Sequence, residues 1–342
     1  MPRPPFHFGL NLLRCFPLTL VLLCAAACPL AGADAVESLG SLRAKADQGD
    51  AAAQTALGWR HYIGDGVPKN YAEAMKWSLK AAEAGFAGAQ YNLAAMYEAG
   101  IGFAQDYAAA AQWYRKAAEQ GDPNAAFSLG LLHDKGLGVP KSATEAAKWL
   151  QKAAEKGDAE AQNQLGELYS RGVGGLPNHV ESAKWYLKAA EQNFPEAQAN
   201  LAGLYAKGSG VKQDLAEALK WWRKAADQGV AWAQYNLGVA YDRGETVAVD
   251  YKEARKWYEL AAKQGFAEAQ CNLAVLYFNG DGVEKDPVEA YKWFTLAARQ
   301  GVPKAIEDRD TVADKLTVEQ LFAGRQRALE FVPRKTDGAP KR

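Results

Sequence analysis

The sequence predicts an all-α fold, a right-handed superhelical α-solenoid of helix–turn–helix repeats with a period of 36 residues. The first observation is a tryptophan that recurs at this period, at Trp77, Trp113, Trp149, Trp185, Trp221, Trp257 and Trp293. The second is a helix stop eight residues later, which is glycine in six repeats and Asn193 in the other. The third is a capping residue seven positions before each tryptophan. A fixed period of this length indicates units that bury their apolar faces only by stacking on one another.

The first helix of each repeat carries alanine, leucine and tyrosine or histidine at intervals of four residues. Ala89, Leu93 and Tyr97 are one example. This spacing places the three side chains on one helical face, which predicts a buried stripe. The residue after the leucine is always glycine or alanine, and a small side chain there lets a neighbouring helix approach closely.

A turn and a second helix complete each repeat. Six of the seven turns contain paired glycines, such as Gly64-Asp65-Gly66. Gly-x-Gly alone is a weak signal for a phosphate-binding loop, and no strand precedes it here, so we predict a helix–helix connection. The second helix begins with a residue whose side-chain oxygen can accept hydrogen bonds from free backbone N–H groups. These caps are Asn70, Asp106, Ser142, Asn178, Asp214, Asp250 and Asp286.

The repeat resembles the Sel-1-like repeat family, which is related to tetratricopeptide repeats. The resemblance is carried by "AQYNLAAMYEAGIGFAQDYAAAAQWYRKAAEQG" at 89–121 and "AQCNLAVLYFNGDGVEKDPVEAYKWFTLAARQG" at 269–301. It covers residues 50–301 as seven repeats, and the period of 36 rather than 34 favours this family over plain tetratricopeptide units. The resemblance implies a non-catalytic scaffold or adaptor that binds other proteins. In exported bacterial members, it implies regulation or assembly of cell-envelope components.

The flanks of the array predict export and capping. Residues 1–33 read as a signal peptide, because Arg3 and Arg14 form a positive N-terminal region before an apolar stretch too short to span a bilayer, and small residues permit cleavage after Ala33 or Ala35. The protein is then periplasmic or secreted. The alternative is an outer-membrane lipoprotein modified at Cys28, the one case in which we expect membrane contact. We predict an N-terminal capping helix in 34–49, C-terminal capping helices in 302–331 and a disordered tail in 332–342.

Charge and cysteine usage exclude some classes of function. The chain has 40 basic and 40 acidic residues. Loss of Arg3 and Arg14 with the signal peptide leaves 38 basic residues against 40 acidic ones, so the net charge of the mature chain is about −2. No basic excess points to nucleic acid. Cleavage also leaves Cys271 as the single cysteine, so no internal disulfide is expected. We interpret Cys271 as a buried, inert thiol, with a mixed disulfide to a partner as the alternative.

We expect no cofactor, no metal and no catalytic centre. His61 and His133 occupy tyrosine positions two repeats apart, roughly 20 Å at typical helix spacing, so they cannot share a metal ion. A packed histidine in place of tyrosine is the favoured interpretation. A few relatives are described as β-lactamases, but this chain lacks their paired cysteines and an S-x-x-K motif followed by S-D-N or K-T-G. Glycan or peptidoglycan binding, or a β-lactamase-like hydrolase, is the alternative function.

The candidate binding residues lie on the inner face lined by first helices. An amide precedes the leucine in five repeats, and amides can donate to and accept from a peptide backbone. The alternative is that these amides bond only the adjacent helix. Trp59 and Trp232 stand where other repeats have mostly small or polar residues, and an exposed tryptophan is a typical interface anchor. We expect another protein or an extended peptide of the cell envelope to bind at Asn92, Asn200, Asn236, Asn272, Gln164, Tyr91, Tyr235, Trp232 and Trp59.

Overall fold

The computed structural model describes residues 38–334, and these form seventeen helices and no strand. The all-α repeat class is therefore confirmed. The predicted signal peptide, including Cys28, lies outside the described residues, as do residues 335–342. Within the described range, no helix is both long enough and apolar enough to cross a bilayer.

The N-terminal unit comprises residues 38–185. Each of its helices packs against the next one along the chain, and even-numbered helices from α2 onward are the first helices of the repeats. Its elements are α1 (Leu39–Asp47), α2 (Ala51–Ile63), α3 (Tyr71–Glu83), α4 (Ala87–Ala99), α5 (Tyr107–Glu119), α6 (Pro123–Lys135), α7 (Ala143–Glu155) and α8 (Ala159–Arg171).

The C-terminal unit comprises residues 186–334, and the division falls inside α9 (His179–Glu191). Consecutive helices again pack in tandem from α10 to α16, and the last helix packs against α15. The elements are α10 (Pro195–Lys207), α11 (Leu215–Asp227), α12 (Ala231–Arg243), α13 (Tyr251–Lys263), α14 (Ala267–Asn279), α15 (Pro287–Arg299), α16 (Pro303–Ala313) and α17 (Val318–Leu329).

The predicted helix starts and stops are confirmed. All seven caps of the second helices accept a backbone hydrogen bond, and Asp106, for example, accepts from the N–H groups of Ala108 and Ala109. Asn193 has φ 65°, the single positive φ outside glycine in the described range. Since only asparagine approaches glycine in tolerance of this conformation, the substitution preserves the stop.

The core of each unit consists of the predicted alanine, leucine and tryptophan positions. Six of the seven repeated tryptophans are buried, and Trp113 is half-buried. The alanine pairs of the second helices, such as Ala117 and Ala118, are almost fully buried as well. Small side chains let helices lie close together, and the large indole rings fill the space between them.

A ladder of buried glutamines ties the repeats together, and the sequence reasoning missed it. In six first helices a glutamine donates from Nε2 to the backbone carbonyl of an alanine eight residues earlier, at the end of the preceding second helix or of α1. In four of these helices the Oε1 of that glutamine accepts from the Nε2 of a glutamine thirty residues later, as in Gln120 to Gln90 at 2.8 Å. The ladder members so bonded are Gln90–Gln120, Gln198–Gln228, Gln234–Gln264 and Gln270–Gln300.

The C-terminal end is closed by α17 and the residues after it. The Phe331 ring packs edge-on against Trp293 with 5.4 Å between ring centroids. The Arg334 N–H donates to the Lys263 carbonyl at 2.8 Å. Through this hydrogen bond, residue 334 of the predicted tail at 332–342 contacts α13, and residues 335–342 lie outside the described residues.

Candidate partner-binding surface

The first helices present one recurring stripe of side chains, spaced at i, i+4, i+7 and i+11. In α4 the stripe is Gly88, Asn92, Ala95 and Ala99. We call it the first-helix face. Its side chains differ in exposure from helix to helix.

In the N-terminal unit the first-helix face stays accessible. Trp59, Asn92 and Gln164 are half-buried, and the Trp59 ring stacks on Tyr62 with 5.3 Å between centroids. Tyr91 is buried because its ring packs against Tyr114 of α5, 5.7 Å away. Three of the four predicted residues of this unit therefore offer surface to a partner.

In the C-terminal unit most of the predicted residues are core. Asn200 and Trp232 are half-buried, but Tyr235, Asn236 and Asn272 are at most 1% exposed. The Tyr235 ring packs against Tyr258 of α13 in the same repeat and against Phe266, which precedes α14. These three side chains present no surface to a partner, which corrects their expected role as direct contacts.

Tyr235, Asn236 and Asn272 form a cluster of buried polar side chains in the core of this unit. Asn236 donates from Nδ2 to the Trp232 carbonyl at 2.8 Å, one turn earlier in its own helix α12 and not in the adjacent helix. Burial raises the pKa of the Tyr235 hydroxyl, and the Glu268 carboxylate raises it further. The Asn272 amide lies near enough to lower that pKa, yet no Asn272 side-chain atom reaches hydrogen-bonding geometry.

Cys271 is a buried thiol of the same cluster. Burial, with smaller contributions from Glu268 and Asp308, raises its pKa to about 12. A thiol in such surroundings is almost entirely protonated at neutral pH and is a poor nucleophile. The inert interpretation fits this environment better than a mixed disulfide with a partner.

An apolar strip in the N-terminal unit was not predicted. It lies three residues after the amide position and comprises Trp59, Ala95 and Leu131, all half-buried, with Ile63 beside Trp59 at 47% exposed. The C-terminal unit has Val239 and Val275 at this position, both buried. The sequence does show apolar residues at this phase, but the pattern of one helix does not reveal which of them stay accessible.

The strip ends at a half-buried carboxylate. Glu167 occupies the strip position in α8, and burial raises its pKa. Arg171 opposes that shift and Asp134 adds to it, while Arg171 itself pairs with Asp134 at 3.0 Å. The face therefore offers an apolar surface, two amides and one carboxylate that a cation would stabilise.

The two histidines that stand at tyrosine positions differ in burial. His133 is buried with Nδ1 3.4 Å from the Pro140 carbonyl, and His61 is half-buried. No group of three or more potential ligands among His, Cys, Asp and Glu lies together within residues 38–334.

Tandem helix pairs with an accessible first-helix face define an α-helical repeat protein. The Sel1 repeat family model matches residues 51–86, 87–122, 123–158, 159–194, 195–230, 233–266 and 267–302. The chain belongs to the Sel1 repeat family, as its sequence predicted.

Two solved structures extend this comparison. A Sel1 repeat protein from Oxalobacter formigenes is 34% identical with a TM-score of 0.68, over 80% of this chain and 79% of that chain. A protective antigen with an SLR fold, present in uropathogenic Escherichia coli strains, is 32% identical with a TM-score of 0.59, over 85% of this chain and 70% of that chain. No curated protein matches significantly. Sel1 repeat proteins are generally protein-interaction scaffolds, and the family is typically non-catalytic.

Proposed function

We propose that this protein is an exported, non-catalytic adaptor that binds a segment of another cell-envelope protein along the first-helix face of the N-terminal unit. The observation that carries the proposal is the accessibility of Trp59, Asn92, Ala95, Leu131 and Gln164 on one repeated stripe. Most equivalent positions of α12 and α14 are buried. Apolar surface flanked by amides suits a peptide, because the strip takes its side chains and the amides bond its main chain.

The partner segment has apolar residues followed by lysine or arginine. The apolar side chains contact the strip, and the cation lies beside Glu167. Burial disfavours the ionised form of Glu167, so an incoming positive charge gains more there than beside a fully solvated carboxylate.

Site-specific photo-crosslinking in the native host tests the binding face. Benzoylphenylalanine replaces Ala95 on the strip in one variant and Lys148, exposed on α7, in the matched control. We expect a discrete protein adduct from position 95, lost on Trp59→Ala or Leu131→Ala, and none from position 148. The same adducts from both positions, or retention of muropeptides and glycans without any protein, would refute the adaptor.

Export has its own test. Mass spectrometry of the mature N-terminus distinguishes the outcomes, because signal-peptide cleavage starts the chain at Asp34 or Val36. A diacylglyceryl group on Cys28 would replace the periplasmic or secreted location by outer-membrane anchoring. An intact N-terminus at Met1 would remove the export proposal.

A further inference from the structure

The last helix of the array, α17, has an apolar outer face. Val318, Phe322 and Leu329 are 77%, 63% and 64% exposed, and with Val332 they are four of the five most exposed large apolar side chains in residues 38–334. Terminal repeats of a solenoid normally carry a polar outer face, and α1 follows this rule by exposing small and polar side chains. A concentration of exposed apolar side chains marks an interaction surface.

The exposed side chains of α17 form one narrow stripe. Its positions are spaced at i, i+4, i+7 and i+11, which places them within about 60° around the helix axis. We call them the α17 stripe, and its members are Val318, Phe322, Arg325 and Leu329. The buried residues Gly324 and Ala328 lie roughly 100° away around the axis, and Gly324 faces the Tyr291 ring of α15. The stripe is therefore separate from the contact between α17 and α15.

The C-terminal residues of the chain are poorly suited to cover the α17 stripe. Beyond α17, the Phe331 ring packs against Trp293, and the Arg334 N–H bonds the Lys263 carbonyl. Residues 335–342 contain no apolar side chain larger than proline. Their composition offers little apolar surface to bury against a valine, a phenylalanine and a leucine.

The order of residues along the α17 stripe makes it complementary to itself. When two copies of α17 run antiparallel about a twofold axis, Val318 meets Leu329 of the second copy. The same axis places Phe322 against Arg325 of the second copy, and each of these contacts occurs twice. A guanidinium over the face of an aromatic ring is a favourable contact, so every member of the stripe gains a suitable neighbour.

Charge favours the antiparallel orientation over the parallel one. Arg325 is held at the stripe by donating from Nε to the Tyr291 hydroxyl at 3.4 Å. Parallel pairing would place Arg325 beside Arg325 of the second copy, where like charges repel. Antiparallel pairing avoids this contact and also brings Glu319, at the solvent-facing edge of the stripe, next to Gln326 of the second copy. The Gln326 amide can donate to that carboxylate.

We propose that two copies of this protein associate through α17, with the two helices antiparallel and the α17 stripes in contact. The interface is smaller than that of a stable dimer, so we expect a dissociation constant on the order of 10 µM. The contact lies within the C-terminal unit and uses no residue of the first-helix face. It therefore holds or fails independently of the proposed adaptor function.

Sedimentation velocity on the protein purified from its host tests the proposal, at concentrations from roughly tenfold below to tenfold above that dissociation constant. We expect conversion from monomer to dimer over this range. Phe322→Arg opposes a second arginine to Arg325 and should raise the dissociation constant about a hundredfold. Leu176→Arg is the matched control, because Leu176 is 89% exposed in the N-terminal unit and should leave association unchanged. A protein that stays monomeric, or a dimer that Phe322→Arg leaves intact, overturns the proposal.

A mixture of two variants tests the antiparallel register. Arg325→Glu should also weaken self-association, because it places a carboxylate against the Phe322 face. In an equimolar mixture with Phe322→Arg, the arginine introduced at 322 of one chain faces the glutamate introduced at 325 of the other. The second Phe322–Arg325 contact is retained in this pair, so dimers should return to within about tenfold of the parent affinity. Thermal unfolding of each variant confirms that it is folded, and a mixture of folded variants that stays monomeric contradicts the register.

Discussion

Gln264 donates from its Nε2 to the Oε1 of Gln234 at 2.8 Å, thirty residues earlier in the chain. Gln234 in turn donates to the Ala226 carbonyl at 3.1 Å, and its side chain is almost fully buried. One side chain therefore links a second helix on each side of it. Buried amides with both ends bonded contribute specificity as well as stability, because an unpaired end is costly.

Replacing Gln234 by alanine removes both bonds and leaves the Ala226 carbonyl without its side-chain donor. We expect a loss of about 2 kcal/mol in the free energy of unfolding, measured by urea titration. Gln112 is exposed on α5, so Gln112→Ala is the matched control and should change little. Equal effects of the two substitutions would show that the ladder does not stabilise the fold.

The first glutamine of the ladder, Gln54, lacks the donor that the later ones have. Gln54 donates to the Ala46 carbonyl at 3.0 Å, but its buried Oε1 has no partner, because Ala84 stands where Gln120 stands one repeat later. Ala84→Gln supplies the missing donor and should stabilise the chain by about 1 kcal/mol in thermal or urea unfolding. Ala84→Glu has similar size but brings acceptors only, and a gain with glutamate as large as with glutamine would contradict this explanation.

The sequence was sufficient to predict the repeat, because helix caps, helix stops and apolar stripes each depend on residues close together in the chain. Asn193 illustrates this, since a left-handed stop depends on one residue and its position after the helix. Burial of Tyr235 and accessibility of Ala95 depend instead on how neighbouring helices pack, which a single-helix pattern does not contain. The glutamine ladder was visible as a recurring residue, but its pairing over thirty residues requires the three-dimensional stacking.

The second glycine of the Gly-x-Gly turn has different steric surroundings in different repeats. Gly66 and Gly282 share a positive φ of 70° and 67°, but a Cβ on Gly282 would lie 2.5 Å from the Tyr251 carbonyl carbon, whereas nothing lies within 4 Å at Gly66. Gly66→Ala should cost about 1 kcal/mol for backbone conformation alone. Gly282→Ala should cost roughly 1–3 kcal/mol more, because the turn that carries Gly282 must move away from α13 of the preceding repeat. Unfolding midpoints that fall together for both variants would rule out the close approach as a constraint.

Cys271 provides a test of burial. With a pKa of about 12, about one thiol in ten thousand is ionised at pH 8. We expect iodoacetamide to label Cys271 at least about a hundredfold more slowly in the folded chain than in 8 M urea. Mass spectrometry of the Cys271 peptide gives the rate. Fast labelling of the folded chain would show that the Cys271 thiol is accessible and reactive.

The pH dependence of stability should identify Glu167. Folding raises its pKa above the ordinary 4.5, chiefly through burial, so the folded chain disfavours the ionised carboxylate. Its contribution to stability is therefore most favourable below pH 4.5 and declines as the pH rises through the raised pKa.

Glu167→Gln removes that ionisation, so the variant should melt above the parent protein at pH 8, with the difference shrinking towards pH 4. Differential scanning calorimetry at several pH values measures this, and Glu83→Gln, exposed at the end of α3, is the control. A difference that is constant with pH, or shared by the control, would assign the effect to packing rather than to charge. Because a partner cation beside Glu167 offsets the same cost, partner affinity should rise over the pH range in which Glu167 loses its proton.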